Sequence, residues 1–242
     1  YSFLAVPFYA VVKWLNLNQA WSFGFLNFTF VGFVYAYLKR SVPEYKYQAF
    51  LLFFVMGTIY YLRWTGPEVM SASCVFIASI AILRGEIALA FFMSGLGATQ
   101  NPSIIFMMPL AFGYGALIYW RPQLACLGKA PSRPSCRDCL LALSGIFLGL
   151  MPYAFFQMNF LTPSLIAQYS AYPSLISANR LFSLFLDLNQ GMIIGLPGLV
   201  FALFPGFFLS DSLHRTRWLT AAILLIIITV VMAVPTLSTG NW

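Results

Sequence analysis

Two acids, Glu68 and Asp187, and two arginines, Arg63 and Arg180, stand at the ends of long apolar runs. All four fall on one side of a topology that gathers the basic loops on the other. Carboxylates there can act as general bases or hold a cation. A guanidinium matches phosphate geometry and pairs with it through charge-assisted hydrogen bonds. Together the four form a candidate site for a phosphate-bearing lipid or another polar substrate. Each also has a structural reading. Glu68 follows Gly66-Pro67, and proline at a first helical position followed by a carboxylate is the ordinary opening of a helix. Asp187 or Asn189 would cap the apolar run that begins near Gln190. Arg63 and Arg180 lie where long cationic side chains anchor at an interface by snorkelling.

The remaining chemistry-bearing residues are sparse. The cysteines are Cys74, Cys126, Cys136 and Cys139, and the single histidine is His214. Cys136-x-x-Cys139 with Cys126 and His214 has the ligand types of a Cys3His zinc site. One such pair is weak support, so the cysteines read as reduced, structural thiols and no metal is assigned. One histidine allows no Ser-His-Asp or Cys-His constellation on the acid-bearing side. Gly95, Gly97, Gly113 and Gly115 lie at small-residue spacings that predict close helix packing.

These residues must be carried by elements that lipid, not water, surrounds. The chain has 242 residues, 61% of them hydrophobic and 8% charged, against about 25% charged in soluble domains. Aromatics make up 18%, as suits helices with Tyr and Trp at both interfaces. The apolar runs are continuous and lack the alternation of barrel strands. The reading is therefore all-α: one polytopic transmembrane helical bundle over 1–242. About eight crossings are predicted. An interfacial segment over 1–19 leads into spans over 20–38, 47–62 and 68–83. The stretch 87–119 is too long for one crossing and short for two ordinary ones, since a span needs about 20 residues. Thr99-Gln100-Asn101-Pro102 breaks it into a short helix pair. Further spans follow over 139–157, 190–210 and 218–236. Residues 158–189 form a loop with an amphipathic interfacial helix near Phe182–Leu188.

Lysine and arginine give the orientation. Lys39, Arg40, Lys46, Arg84, Arg121, Lys129, Arg133, Arg137, Arg215 and Arg217 share one side, which the positive-inside rule makes cytoplasmic. Lys13, Arg63 and Arg180 occupy the other. The basic loop 121–138 is then cytoplasmic, the 158–189 loop external, and both ends non-cytoplasmic. The formal charge of +7 is this loop bias, and nucleic acid is not expected as a partner. No internal repeat supports a transporter of inverted halves. The chain begins at Tyr1 and closes on Asn241-Trp242, and both ends read as cut from a longer protein.

Several segments, in order, resemble bacterial GT-C glycosyltransferases, the polytopic enzymes that use polyprenyl-phosphate sugars. They are Tyr1-Ser-Phe-Leu-Ala-Val-Pro-Phe-Tyr9, Trp64-Thr-Gly-Pro-Glu-Val69, Arg84-Gly-Glu86 and Ala98-Thr-Gln-Asn-Pro102. Phe185-Leu-Asp-Leu-Asn-Gln-Gly191 with Pro197-Gly198, and Thr239-Gly-Asn-Trp242, complete the series. The resemblance implies a lipid-linked sugar donor in a bacterial inner membrane and transfer on the external face. It also implies a catalytic acid in the first external loop. This chain has no Asp or Glu before Glu44, so that acid is expected upstream of Tyr1. Arg63, Glu68, Arg180 and Asp187 would then steady the leaving phosphate, alone or with a divalent cation. The alternatives are a structural or assembly subunit of a larger membrane complex, with other subunits as partners, and a transporter. The transporter is disfavoured because the spans lack ionisable residues.

The charge bias predicts that Cys126 and Cys136 are labelled by impermeant maleimide only from the cytoplasmic side of sealed vesicles. Labelling of either from the external side overturns the topology.

Overall fold

The computed structural model describes residues 2–55, 58–62, 65–127, 134–162, 172–186 and 212–237. Among them the chain is helical, with no strand. The helices are α1 (Ser2–Trp14), α2 (Trp21–Ser41), α3 (Lys46–Val55), α4 (Glu68–Arg84), α5 (Ile87–Ala98), α6 (Met107–Trp120), α7 (Cys136–Phe160), α8 (Ala178–Leu186) and α9 (Ser212–Leu237). The chain divides into two compact units, 1–77 and 78–242.

In the first unit α1 packs on α2, and α2 on α3. Val12, Val34, Leu38, Phe53 and Met70 are fully buried there. Aromatic rings join these helices: Tyr35 of α2 meets Phe50 of α3 edge-on at 5.2 Å between centroids, and Phe53 of α3 lies 5.2 Å from Phe76 of α4. Such offset and edge contacts contribute about 0.5–1.5 kcal/mol each beyond burial. Polar side chains enter this core too, among them Ser22, Ser41, Thr58 and Ser73. Asn27 is fully buried in α2 and donates from Nδ2 to the carbonyls of Tyr61 and Leu62, at 3.3 and 3.2 Å.

The second unit is organised by α5 and α7, whose backbones touch. A Cβ added to Gly95 would run into the carbonyl oxygen of Gly145 and lie 2.8 Å from its Cα. A Cβ on Gly145 would meet the Phe91 carbonyl and come within 2.7 Å of the Phe92 Cα. Backbone cannot rotate aside as a side chain can, so only glycine fits at either position. Gly149, one turn along α7, lies over Met108 and Ile105, with an added Cβ 3.1–3.3 Å from their side chains.

The turns explain why these helices stop where they do. α4 ends in a Schellman motif: Gly85 adopts φ 73°, its N–H bonds Ile82 O at 2.9 Å, and the Glu86 N–H bonds Ala81 O at 2.8 Å. Arg84 Nε pairs with Glu86 Oε1 across this turn at 2.7 Å. α5 ends at Ala98, and Asn101 accepts from the Ser103 N–H and hydroxyl, at 3.3 and 2.8 Å, to open a 3-10 turn over Pro102–Phe106 that runs into α6. Tyr153 of α7 donates to the Pro102 carbonyl at 3.0 Å. α7 itself starts in a capping box, with the Ser135 N–H and hydroxyl donating to Asp138 Oδ2 and the Ser135 Oγ accepting the Asp138 N–H.

Several expectations change. The interfacial segment 1–19 contains the 13-residue helix α1. The span over 47–62 is not one described helix: α3 stops at Val55 and a separate 3-10 turn covers Thr58–Tyr61. The stretch 87–119 is a broken pair, with the break over 99–101. α7 outruns its span at both ends, and the amphipathic helix begins at Ala178, earlier than expected. The span over 190–210 lies outside the described residues. Among those residues four helical stretches are long and apolar enough to cross a bilayer: Trp21–Ser41, Pro102–Trp120, Cys136–Phe160 and Arg215–Ala233. Of the small-residue positions, Gly95 is at a helix contact and Gly115 lies against Ile87, whereas an added Cβ at Gly113 meets nothing within 4 Å.

Gly95→Val or Gly145→Val is therefore expected to lose at least about 1–3 kcal/mol through overpacking, read as a lower melting temperature in detergent. Gly113→Ala, which fills open space in a helix, is expected to leave melting unchanged or raise it slightly. Equal effects at all three positions would contradict the close α5–α7 crossing.

Candidate functional site

Glu68 opens α4 and is exposed. The Pro67 carbonyl accepts the Ser71 N–H at 2.8 Å, so helical bonding begins at the proline, with the carboxylate in the first turn where the helix dipole favours it. Arg180 sits in the first turn of α8, which Ser177 caps: the Ser177 hydroxyl oxygen accepts the Arg180 N–H at 3.3 Å. The Arg180 carbonyl accepts the Ser183 hydroxyl at 3.0 Å, and the residue is half-buried. Its helix is markedly amphipathic, with Phe182 exposed. Arg63 and Asp187 lie outside the described residues. Glu68 belongs to the first unit and Arg180 to the second.

Asn27 escapes a reading by residue type, because a single asparagine in an apolar run carries no motif. Its amide takes the carbonyls of Tyr61 and Leu62, which immediately precede Arg63 in sequence. A side chain in α2 thereby fixes the backbone leading to one of the candidate arginines.

The cysteines do not form the Cys3His arrangement among the described residues. Cys74 is buried in α4, whereas Cys136 and Cys139 are exposed in the first turn of α7. The His214 side chain lies outside the described residues, and no group of three His, Cys, Asp or Glu able to hold a metal occurs among them. Cys126 is instead part of a knot at the end of α6. The Tyr114 hydroxyl donates to Leu124 O at 3.2 Å and accepts the Cys126 N–H at 3.0 Å. The Cys126 thiol lies 3.6 Å from Leu124 O and 3.5 Å from Arg217 O, and can donate to one at a time. Burial pushes this thiol up from its ordinary value, against a smaller lowering by the Tyr114 hydroxyl and the Arg217 charge. A raised thiol is a poor nucleophile near neutrality, so Cys126 reacts more slowly with maleimide than its ordinary value implies. The Leu127 N–H closes the knot on Leu83 O at 3.0 Å. The sequence signal for this knot is slight: a tyrosine and a cysteine twelve positions apart around a proline.

The chain matches no protein-family model, no curated protein and no solved structure in the comparisons made with them.

Asn27→Leu is expected to remove two part-buried hydrogen bonds to the Tyr61 and Leu62 carbonyls and lower stability by about 1–2 kcal/mol, measured by thermal unfolding in detergent. Unchanged unfolding would show that these carbonyls have other partners.

Proposed function

We propose that the chain is the membrane-embedded body of a glycosyltransferase that transfers a sugar from a polyprenyl-phosphate donor on the external face. The observation that carries this reading is the order of six segments resembling GT-C enzymes, from Tyr1–Tyr9 to Thr239–Trp242. With it go about eight crossings, non-cytoplasmic ends and a bacterial inner membrane. In this reading an acceptor hydroxyl, deprotonated by a carboxylate of the first external loop, attacks the anomeric carbon, and polyprenyl phosphate leaves. Arg63 and Arg180 bind the leaving phosphate, while Glu68 and Asp187 orient the polar end of the donor or hold a divalent cation. Support comes from Glu68, which is exposed at a helix start, and from Arg180, which is carried by an amphipathic helix of the kind that lies along a bilayer surface.

A second reading is a non-catalytic structural or assembly subunit. It is favoured by α7 and α9, whose most apolar 18-residue stretches are each only 11% buried and leave long apolar faces for lipid or a partner helix.

Binding of polyprenyl phosphate to the chain in nanodiscs tests the first reading. The lipid is expected to bind in preference to phosphatidylglycerol. Arg63→Ala and Arg180→Ala should each weaken binding about tenfold, as loss of a charged hydrogen bond of roughly 1.5 kcal/mol implies. Glu68→Gln and Asp187→Asn should change it less. Absence of preference over phosphatidylglycerol, or arginine variants that bind as the wild type does, would sink the enzyme reading in favour of the subunit.

A further inference from the structure

We infer that Cys136 and Cys139 form a dithiol that closes reversibly to a disulfide at the first turn of α7, a redox site independent of the proposed transferase activity. Both thiols are free and exposed. Cysteine is ordinarily among the most buried residues, and two exposed in one helical turn contribute nothing to packing. They are three residues apart on a helix, which puts them on one face with Cβ atoms about 5–6 Å apart. A disulfide needs about 3.5–4.5 Å, so closure requires a contraction on the order of 1–2 Å.

The place where they stand can supply that contraction. Cys136 is the first residue of α7, and its N–H has no intrahelical acceptor to lose, whereas the Cys139 N–H bonds Ser135 O at 3.0 Å and stays anchored. The capping box of Ser135 and Asp138 holds the turn helical without using either cysteine side chain, so the two cysteines stay in register in the reduced form. Cys126 does not compete as a partner, because its thiol and backbone are engaged with Tyr114, Leu124 and Arg217. The Lys/Arg bias assigns this end of α7 to the cytoplasm, where disulfides are transient and sensing, not structural.

The oxidant is a small-molecule disulfide such as glutathione disulfide. The Cys136 thiolate attacks one sulfur, forming a mixed disulfide and releasing one glutathione thiolate. The Cys139 thiolate then attacks the Cys136 sulfur, forming the Cys136–Cys139 bond and releasing the second glutathione. Two electrons pass from the pair to the glutathione disulfide, and the two thiol protons go to the released thiolates. A dithiol reductant runs the sequence backwards.

The full chain in open membrane vesicles is treated with glutathione disulfide and quenched with acid. Free thiols are then capped, and the bonds are mapped by peptide mass spectrometry without reduction. The expected result is a Cys136–Cys139 disulfide with no glutathione retained, reversed by dithiothreitol. Cys139→Ser is expected to keep glutathione on Cys136, because the resolving thiol is gone. The proposal is overturned by a wild-type chain that retains glutathione on Cys136, that joins Cys136 to Cys126 or to a second chain, or whose two thiols remain unreacted.

Discussion

Two backbones meet at one crossing, and the second unit depends on it. At Gly95 and Gly145 helices α5 and α7 meet without side chains between them. Helices in lipid gain little from excluding water, so van der Waals contact and shape must hold them together. Two glycines facing each other let the surrounding side chains reach the partner helix along its whole length. The contact also sets where α6 lies, because Gly149 on the same helix receives Met108 and Ile105 from the segment that follows the α5 break. Tyr153 then joins α7 to the Pro102 carbonyl in that break. The 25-residue α7 in this way holds α5, the 3-10 turn after it and the start of α6 at three successive levels.

Among the described residues, serine and threonine hydroxyls within helices bond back to their own turn, and most other polar contacts are placed where a helix ends. Gly85 and Glu86 close α4, Asn101 opens the turn before α6, Ser135 and Asp138 open α7, and Tyr114 ties the chain that leaves α6. Asn27 does the same from a distance by taking the carbonyls of Tyr61 and Leu62. This is the pattern that a low-dielectric surrounding demands. Backbone groups freed at a helix terminus must find a protein partner, since an unsatisfied one costs several kcal/mol in hydrocarbon.

What could be read from residues alone follows from how local each cause is. The break before Pro102 was legible because proline acts on its own neighbours. The helical class was legible because the apolar runs are continuous and lack the alternation of barrel strands. The 3-10 turn over Thr58–Tyr61 was not legible, because no proline and no charged residue stands between Tyr47 and Arg63 to mark it. Gly95 drew attention by spacing, but its partner Gly145 is fifty residues away, and no local pattern pairs the two while passing over Gly113. Asn27 and Tyr114 are single polar residues in apolar runs, and their roles depend on carbonyls that only the tertiary structure brings near. Of the candidate site, the helix-start settings of Glu68 and Arg180 were readable to different degrees: Gly66-Pro67 announces the first, whereas Ser177 as a cap becomes evident only once α8 begins at Ala178.

The shortness of α5 carries a consequence for the lipids beside it. Twelve residues rise about 18 Å, while the hydrocarbon layer of a bilayer is about 30 Å thick. A chain that turns back after 18 Å cannot leave its polar turn at full depth without drawing the headgroups down to meet it, and the cost of such mismatch is shared between protein and membrane. No residue of α5 is exposed, so protein covers the helix and only the Thr99–Ser103 turn, where Asn101 is exposed, would meet headgroups drawn inward. Acyl chains bordering it are shortened and disordered relative to those along the 25-residue α7. Lipids with short tails then meet the least resistance beside that turn, and long-tailed ones beside α7.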